Sequence, residues 1–259
     1  MASELVIADK NWAVIVAHPD DEVLGAGILM YQGNLGNFHI LHVTDGSPRD
    51  GAMARSLGFS CSDAYAAARR LEFEAARNML GIAPERCHRL GFPDQETCFH
   101  LRAIDAGVRA LIAEHSIKGI ITHTYEGGHP DHDSVALAAS LVARKSDIPC
   151  WEFPLYHAGP SGEMIDGVFI TPSADDKNFE LFSAERQLKR EILSHFVTQR
   201  DMLERFTLEW ERFRPAQSVD FTQPPHPGKL LYERWGFAVD GSVWRAEATK
   251  FIAQYCAVK

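Results

Sequence analysis

At 259 residues, with 46% hydrophobic and 24% charged side chains, the chain has the length and balance of one large globular domain. A core of that size needs no structural metal, so a metal held by it would serve chemistry. The formal net charge of −9, with basic clusters no longer than pairs such as Arg69-Arg70 and Lys189-Arg190, excludes a nucleic-acid binder built on a basic stripe and a protein drawn to anionic membranes.

Along the chain, Glu4 and Asp9 precede the first apolar run, and there is neither a basic n-region nor a long apolar h-region. No signal peptide is expected there. No stretch approaches the roughly 18 apolar residues of a membrane span. The five cysteines are odd in number, widely spaced and free of any CxxC, which suits a reducing cytosol and incidental thiols rather than a disulfide framework. A cytoplasmic location is therefore expected.

Apolar runs at 12–17, 38–44, 87–91 and 119–124 read as strands. Helix-period stretches at 22–33, 62–81, 101–115 and 134–145 separate them. That alternation predicts an α/β fold: a Rossmann-like, mostly parallel sheet with helices on both faces. WAVIVA shows no polar alternation, as expected of a strand covered on both sides. Ser62-Asp63 is a candidate cap for the helix ending at Gly81, and Leu71, Ala75, Ala76 and Met79 form its candidate apolar stripe. Beyond residue 148 the pattern changes. Residues 151–157 and 167–171 read as strands, 184–213 as a long helical stretch broken once, and 215–228 as an irregular loop. No linker composition or repeat appears, so 1–259 reads as one domain: a core over 1–150 and a C-terminal elaboration over 151–259.

The first predicted strand runs into Ala17-His18-Pro19-Asp20-Asp21-Glu22. Ligands of open parallel sheets bind outside the carboxyl ends of the strands, and this cluster lies at such an end. His18 and Asp21 have the spacing of ligands to a borderline metal such as Zn²⁺. Alone, the acidic trio would read as a complement to a helix dipole. The fourth strand ends near a second cluster, His129-Pro130-Asp131-His132-Asp133, preceded by Gly127-Gly128. The two glycines permit a tight turn or a close backbone approach, and Pro130 stiffens the loop. Strands one and four are neighbours in a doubly wound sheet, so the two clusters should face one crevice. Their pairing carries more weight than either cluster alone.

These residues resemble the PIG-L/LmbE-like superfamily of zinc-dependent N-deacetylases. The resemblance rests on AHPDDEVLGAG at 17–27, VTDGSPR at 43–49, RRLEFEAARNMLG at 69–81, LGFPD at 90–94 and GGHPDHD at 127–133. It covers about the first 150 residues. It implies His18, Asp21 and His132 as ligands of Zn²⁺ or another divalent ion, and Asp20 as the general base acting on the attacking water. It implies His129, as an imidazolium, at the oxyanion or the leaving amine, with Asp131 hydrogen-bonded to it. Arg69 and Asp94 match positions that bind sugar hydroxyls. Either protonated Asp20 or His129 could return a proton to the departing nitrogen. One departure concerns a mobile tyrosine that some members carry two residues before the histidine matching His129. Gly127 stands there in this chain, and Tyr125 is the nearest tyrosine.

The implied function is hydrolysis of an N-acyl amide on a small acylated amino sugar or glycoconjugate. The alternatives are an amidase acting on a non-sugar or thiol-conjugate amide, and a non-catalytic metal- or sugar-binding module. Nothing in the sequence excludes a homo-oligomer. His226 and Lys229 in the tail, Glu22 as a buttress of His18 or a sugar ligand, and the tryptophans as stacking platforms carry no assigned role. His123 reads as a packed histidine.

Overall fold

The computed structural model describes residue 5, residues 10–33 and residues 37–257. Glu4 and Asp9 lie outside these, as does the side chain of Cys256. In chain order the elements are β1 (Trp12–Val16), α1 (Asp21–Gln32), β2 (Phe38–Thr44), α2 (Ala52–Ser56), α3 (Ser62–Leu80) and β3 (Cys87–Phe92). There follow α4 (Leu101–His115), β4 (Gly119–His123), α5 (Pro130–Ser146), β5 (Cys150–Phe153), β6 (Tyr156–Ala158) and β7 (Met164–Asp166). The remainder comprises β8 (Lys177–Glu180), α6 (Ser183–Leu193), α7 (Arg200–Leu203), β9 (Trp210–Pro215), α8 (Leu231–Arg234) and α9 (Gly241–Ala257).

Seven strands form one sheet in the order β3-β2-β1-β4-β5-β9-β8. The first five are parallel, and β9 and β8 extend the edge antiparallel. β1 lies at the centre because all five of its residues are buried and its side chains serve both faces. Val14 and Val16 pack into the cluster that also holds Phe73, Ile192 and Phe213. Ala13 and Ile15 pack with Ile104, Val108 and Val142 on the opposite face. β1 and β4 are adjacent, so the switch point expected between strands one and four is present.

Several local expectations are corrected. The stripe of α3 is Tyr65, Arg69, Phe73, Ala76 and Leu80, whereas Leu71 is exposed. Arg69 turns inward because its charge finds partners there, and that rotates the buried face. Ser62 does not cap α3; its hydroxyl donates to Pro48 O, while Gly81 closes the helix in the left-handed region at φ 72°. α5 starts at Pro130 rather than residue 134, so Asp131, His132 and Asp133 stand in its first turn. The run 151–157 is cut at Pro154-Leu155 into β5 and β6. Residues 167–171 are not a strand; β7 lies just before them, and Gly167 turns the chain at φ 64°. The stretch 184–213 holds two short helices and then β9, and 215–228 is irregular as expected.

Candidate active site

Both His/Asp clusters converge beyond the carboxyl ends of β1 and β4. His18 Nδ1, Asp21 Oδ2 and His132 Nε2 form a triangle with sides of 3.2, 3.2 and 3.4 Å. A tetrahedral ion with ligand bonds of about 2.0–2.1 Å requires donor separations of about 3.3 Å. The donor set therefore fits a zinc-like ion in size and in chemistry. Tautomers agree. His18 Nε2 lies 3.2 Å from Asp94 Oδ1 and 3.2 Å from Asp131 Oδ2, so its proton belongs there and Nδ1 is left with a free lone pair. Asp131 is fixed in turn by Gln95 N at 2.7 Å and the Thr97 hydroxyl at 2.6 Å. All three donor residues are buried. Burial acts upward on the Asp21 carboxyl, but His132 and His18 hold it well below the usual range. For His18, burial acts downward, yet Asp94 and Asp21 raise it well above an ordinary imidazole.

Asp20 sits beside this triangle in a conformation that L-residues rarely adopt, φ 123° and ψ −32°. Its backbone N–H donates to Glu22 Oε2 at 3.1 Å, and Glu22 also accepts from His42 Nε2 at 2.9 Å. Glu22 thus anchors Asp20 rather than buttressing His18 or facing a sugar. The Asp20 carboxylate accepts from Arg69 Nη2 at 2.9 Å. Burial pushes its pKa up to about 8, with Arg69 acting downward. A dication in the triangle would pull it down further. Arg69 is 3% exposed, and its Nη atoms also reach Gly46 O and Pro19 O. The match to a sugar-binding position is therefore not what the geometry displays: this guanidinium holds Asp20. Gly46, at φ 68°, is required here, since a Cβ would lie 2.1 Å from Arg69 Nη1.

His129 is the N-cap of α5, and its Nδ1 accepts from Asp131 N at 3.2 Å. The Asp131 carboxylate is 3.9 Å from that nitrogen and is spent on His18, Gln95 and Thr97. The hydrogen bond expected between Asp131 and His129 is made by the Asp131 backbone N–H rather than by its carboxylate. Burial, then the charge of His18, push His129 well below the ordinary imidazole pKa. The positive end of a helix acts in the same direction. The Asp131 N–H occupies Nδ1 of His129, so in the neutral ring the proton stands on Nε2. Asp94 Oδ1, 3.4 Å from that Nε2, links His129 to His18.

The loop before α5 is held by buried carboxylates. Asp133 Oδ1 accepts from Glu126 N and Gly127 N, and Glu126 Oε1 accepts from Leu155 N and Tyr156 N. Gly127 stands at φ 70°, and a Cβ on Gly128 would lie 1.9 Å from Tyr156 O. Both glycines thus do what the sequence suggested. Tyr125 points away from the site and donates to Gln223 O. Tyr156 was missed by sequence reasoning: its ring lies edge-on to His132 at 5.2 Å, and nearby Asp21 and Asp20 add to the upward effect of burial on its hydroxyl. No motif marks it, because it arrives on β6 from the elaborated half. His123 is buried and stacks on His132 at 4.2 Å, as a packed residue should. His226 joins no ligand cluster among the described residues.

The family model of GlcNAc-PI de-N-acetylases, PIG-L, matches residues 13–143. Among solved structures, the zinc-inhibited form of teicoplanin deacetylase Orf2 superposes with a TM-score of 0.65 at 17% identity, covering 82% of this chain and 99% of that one. The A40926 pseudoaglycone deacetylase Dbv21 gives 0.63 at 19%, covering 82% and 99%. N,N'-diacetylchitobiose deacetylase from Pyrococcus horikoshii gives 0.57 at 18%, covering 80% and 83%. At these identities the likeness is one of fold. No curated protein matches the chain. No helix among the described residues is long and apolar enough to cross a membrane.

Proposed function

The chain belongs to the PIG-L family, and from that premise we propose that it is a metal-dependent hydrolase that removes an acyl group, acetyl in the first instance, from the nitrogen of an amino sugar. The observation that carries this reading is the buried triangle of His18 Nδ1, Asp21 Oδ2 and His132 Nε2 beside an ionisable Asp20. We assign His18, Asp21 and His132 as the ligands and Zn²⁺ as the resident ion. When bound, such an ion supplies Lewis acidity to a water and to a carbonyl oxygen.

Asp20 then takes the proton of the attacking water. Neutral His129 donates its Nε2–H to the oxygen on which negative charge develops. Its Nδ1 is engaged by Asp131 N, so the imidazole is fixed in one tautomer. The departing nitrogen needs a proton, and Asp20, protonated in the first step, supplies it. Arg69 keeps Asp20 oriented through both transfers, and Asp94 stands where a sugar hydroxyl could reach it, between His18 and His129. Teicoplanin deacetylase and N,N'-diacetylchitobiose deacetylase, whose fold this chain shares, are deacetylases by name, the second of an N-acetylated sugar. The free cysteines Cys61, Cys87, Cys98 and Cys150 suit a cytoplasmic location.

The test is release of primary amine from N-acetylglucosamine conjugates by zinc-loaded protein, alongside simple acetamides and thiol-conjugate amides. Turnover of the sugar amides that vanishes on chelation supports the reading. Preference for the non-sugar amides would move the substrate class, and absence of amine release from every amide would overturn the enzyme assignment.

A further inference from the structure

A second group of imidazoles lies at the opposite, amino-terminal end of the sheet. His39 is the second residue of β2, His88 the second of β3, and His115 the last of α4. Each can offer one ring nitrogen such that all three lie within 4.8 Å of one another. Ring centroids are separated by 4.5, 4.6 and 5.3 Å. His39 Nδ1 is 3.0 Å from His88 Nε2. Three imidazoles from three separate elements are an unusual use of an interior corner, since neutral histidines gain little from packing on one another. His39 is buried, while His88 and His115 are partly open to solvent.

We propose that His39, His88 and His115 form a second metal site, separate from the triangle, that takes a borderline divalent ion such as Zn²⁺, Co²⁺ or Ni²⁺ through three imidazole nitrogens. All-nitrogen donor sets of this kind favour those ions over Mg²⁺ or Ca²⁺. His115 ends α4, where the negative end of the helix dipole favours a cation. Glu114 adds a carboxylate 3.9 Å from His115 Nε2. Burial, with help from Arg86, His115 and His88, lowers the His39 pKa to about 4, so the ring is neutral and ready to ligate near pH 7.

One group opposes the ion. Arg86 Nη1 lies 3.1 Å from His39 Nε2, so His39 accepts there and carries its proton on Nδ1, facing His88. Ligation by Nδ1 moves that proton to Nε2, and Arg86 must then swing away. Arg86 lies in a short three-residue turn before β3 and is free to do so. It acts as a competitor for the site.

The experiment is equilibrium dialysis of the whole protein against Co²⁺ at pH 7. The wild type is expected to exceed the paired variant His88→Ala/His115→Ala by one equivalent per chain. Asp21→Asn, in the triangle, is expected to retain that equivalent. Arg86→Ala should tighten it, by about tenfold on the scale of outer-sphere effects. Near-ultraviolet circular dichroism checks that each variant is folded. Equal Co²⁺ content in the wild type and the paired variant, both folded, overturns the proposal, as does weaker binding in Arg86→Ala.

Discussion

Asp20, the proposed base, also carries the conformational cost of the site. Its φ of 123° is strained, and its carboxylate is buried against Arg69. Strain of this kind costs of order 1–3 kcal/mol and persists where the surroundings over-determine it. Asp20→Asn keeps the backbone ties and removes the proposed base. The expected outcome is a fall in kcat of about 10²–10⁴-fold with the zinc stoichiometry unchanged, read by amine release and metal analysis. A variant near the wild-type rate would refute the assignment of the base. Arg69→Ala removes the hydrogen bonds to Asp20, Pro19 O and Gly46 O together, so it should lower the urea midpoint of unfolding. Arg69→Lys supplies the charge without the planar fork that reaches Asp20, Pro19 O and Gly46 O together, so it should recover stability better than turnover. At this scale the sequence was most readable where several functional groups fall within five residues, as in His18–Glu22 and His129–Asp133. It was least readable where the partner is distant. Nothing local in Arg69 announces a bond to a carboxylate 49 positions away, and nothing in Asp131 indicates that Gln95 and Thr97 will claim its oxygens.

Among the elements, α1 shows how the C-terminal half supports the site. Ala26 breaks the helix at φ −141° and ψ 19°, between two glycines. The N–H groups of Ile28 and Leu29 beyond the break donate to Glu211 on β9 at 2.8 and 2.9 Å. Lys189 of α6, equally buried, donates to Glu211 at 2.8 Å and to Leu24 O at 2.7 Å. A carboxylate and an ammonium thus stand in for the hydrogen bonds that a regular helix would make. Gly25 is required because a Cβ there would lie 2.2 Å from Phe153. Removing the carboxylate by Glu211→Ala orphans two amides and leaves Lys189 as an unpaired buried charge. The expected loss is about 3–5 kcal/mol, measured as a lower urea midpoint with an unchanged slope. A loss under about 1 kcal/mol would show that water replaces the carboxylate. The same residue explains a misreading. In β9, Glu211 and Phe213 are buried while Trp210, Arg212 and Arg214 are half-covered. A charged residue on the inner face hides a period-two pattern, so the segment read as a continuation of helix. β1, β2 and β4 were readable because they are internal to the sheet, buried and flanked by helix signals, whereas β3 is a half-covered edge strand. By contrast, residues 167–171 are β-branched and aromatic but turn away at Gly167, and Phe169 lies under the Arg214 guanidinium at 3.9 Å. Propensity alone cannot supply a strand with a pairing edge.

Across the whole molecule, the match to the family model ends at residue 143, yet the sheet does not. β9 pairs with β5 through Trp151 and Glu152, and β8 pairs with β9. Phe213, Ile192 and Phe196 complete the cluster that covers one face of β1. Trp244 of α9 is buried and donates to Pro130 O and Ser134 Oγ in the first turns of α5, beside His132. Leu231 N donates to Gly127 O, tying α8 to the loop that carries His129. The division into a core over 1–150 and an elaboration over 151–259 is thus one of sequence, while core packing and site geometry are shared between the halves. Two consequences can be measured. Calorimetry of the full chain should give one transition, with calorimetric and van't Hoff enthalpies equal. A fragment of residues 1–150 lacks Glu211 against the break in α1, Phe213 against Phe153, and the docked tail over Gly127. It should therefore lack a cooperative transition and should not hold zinc in the triangle. Two separated transitions in the full chain, or a fragment that melts sharply and binds one zinc, would mean that the first half folds by itself and that the C-terminal strands and helices only decorate it.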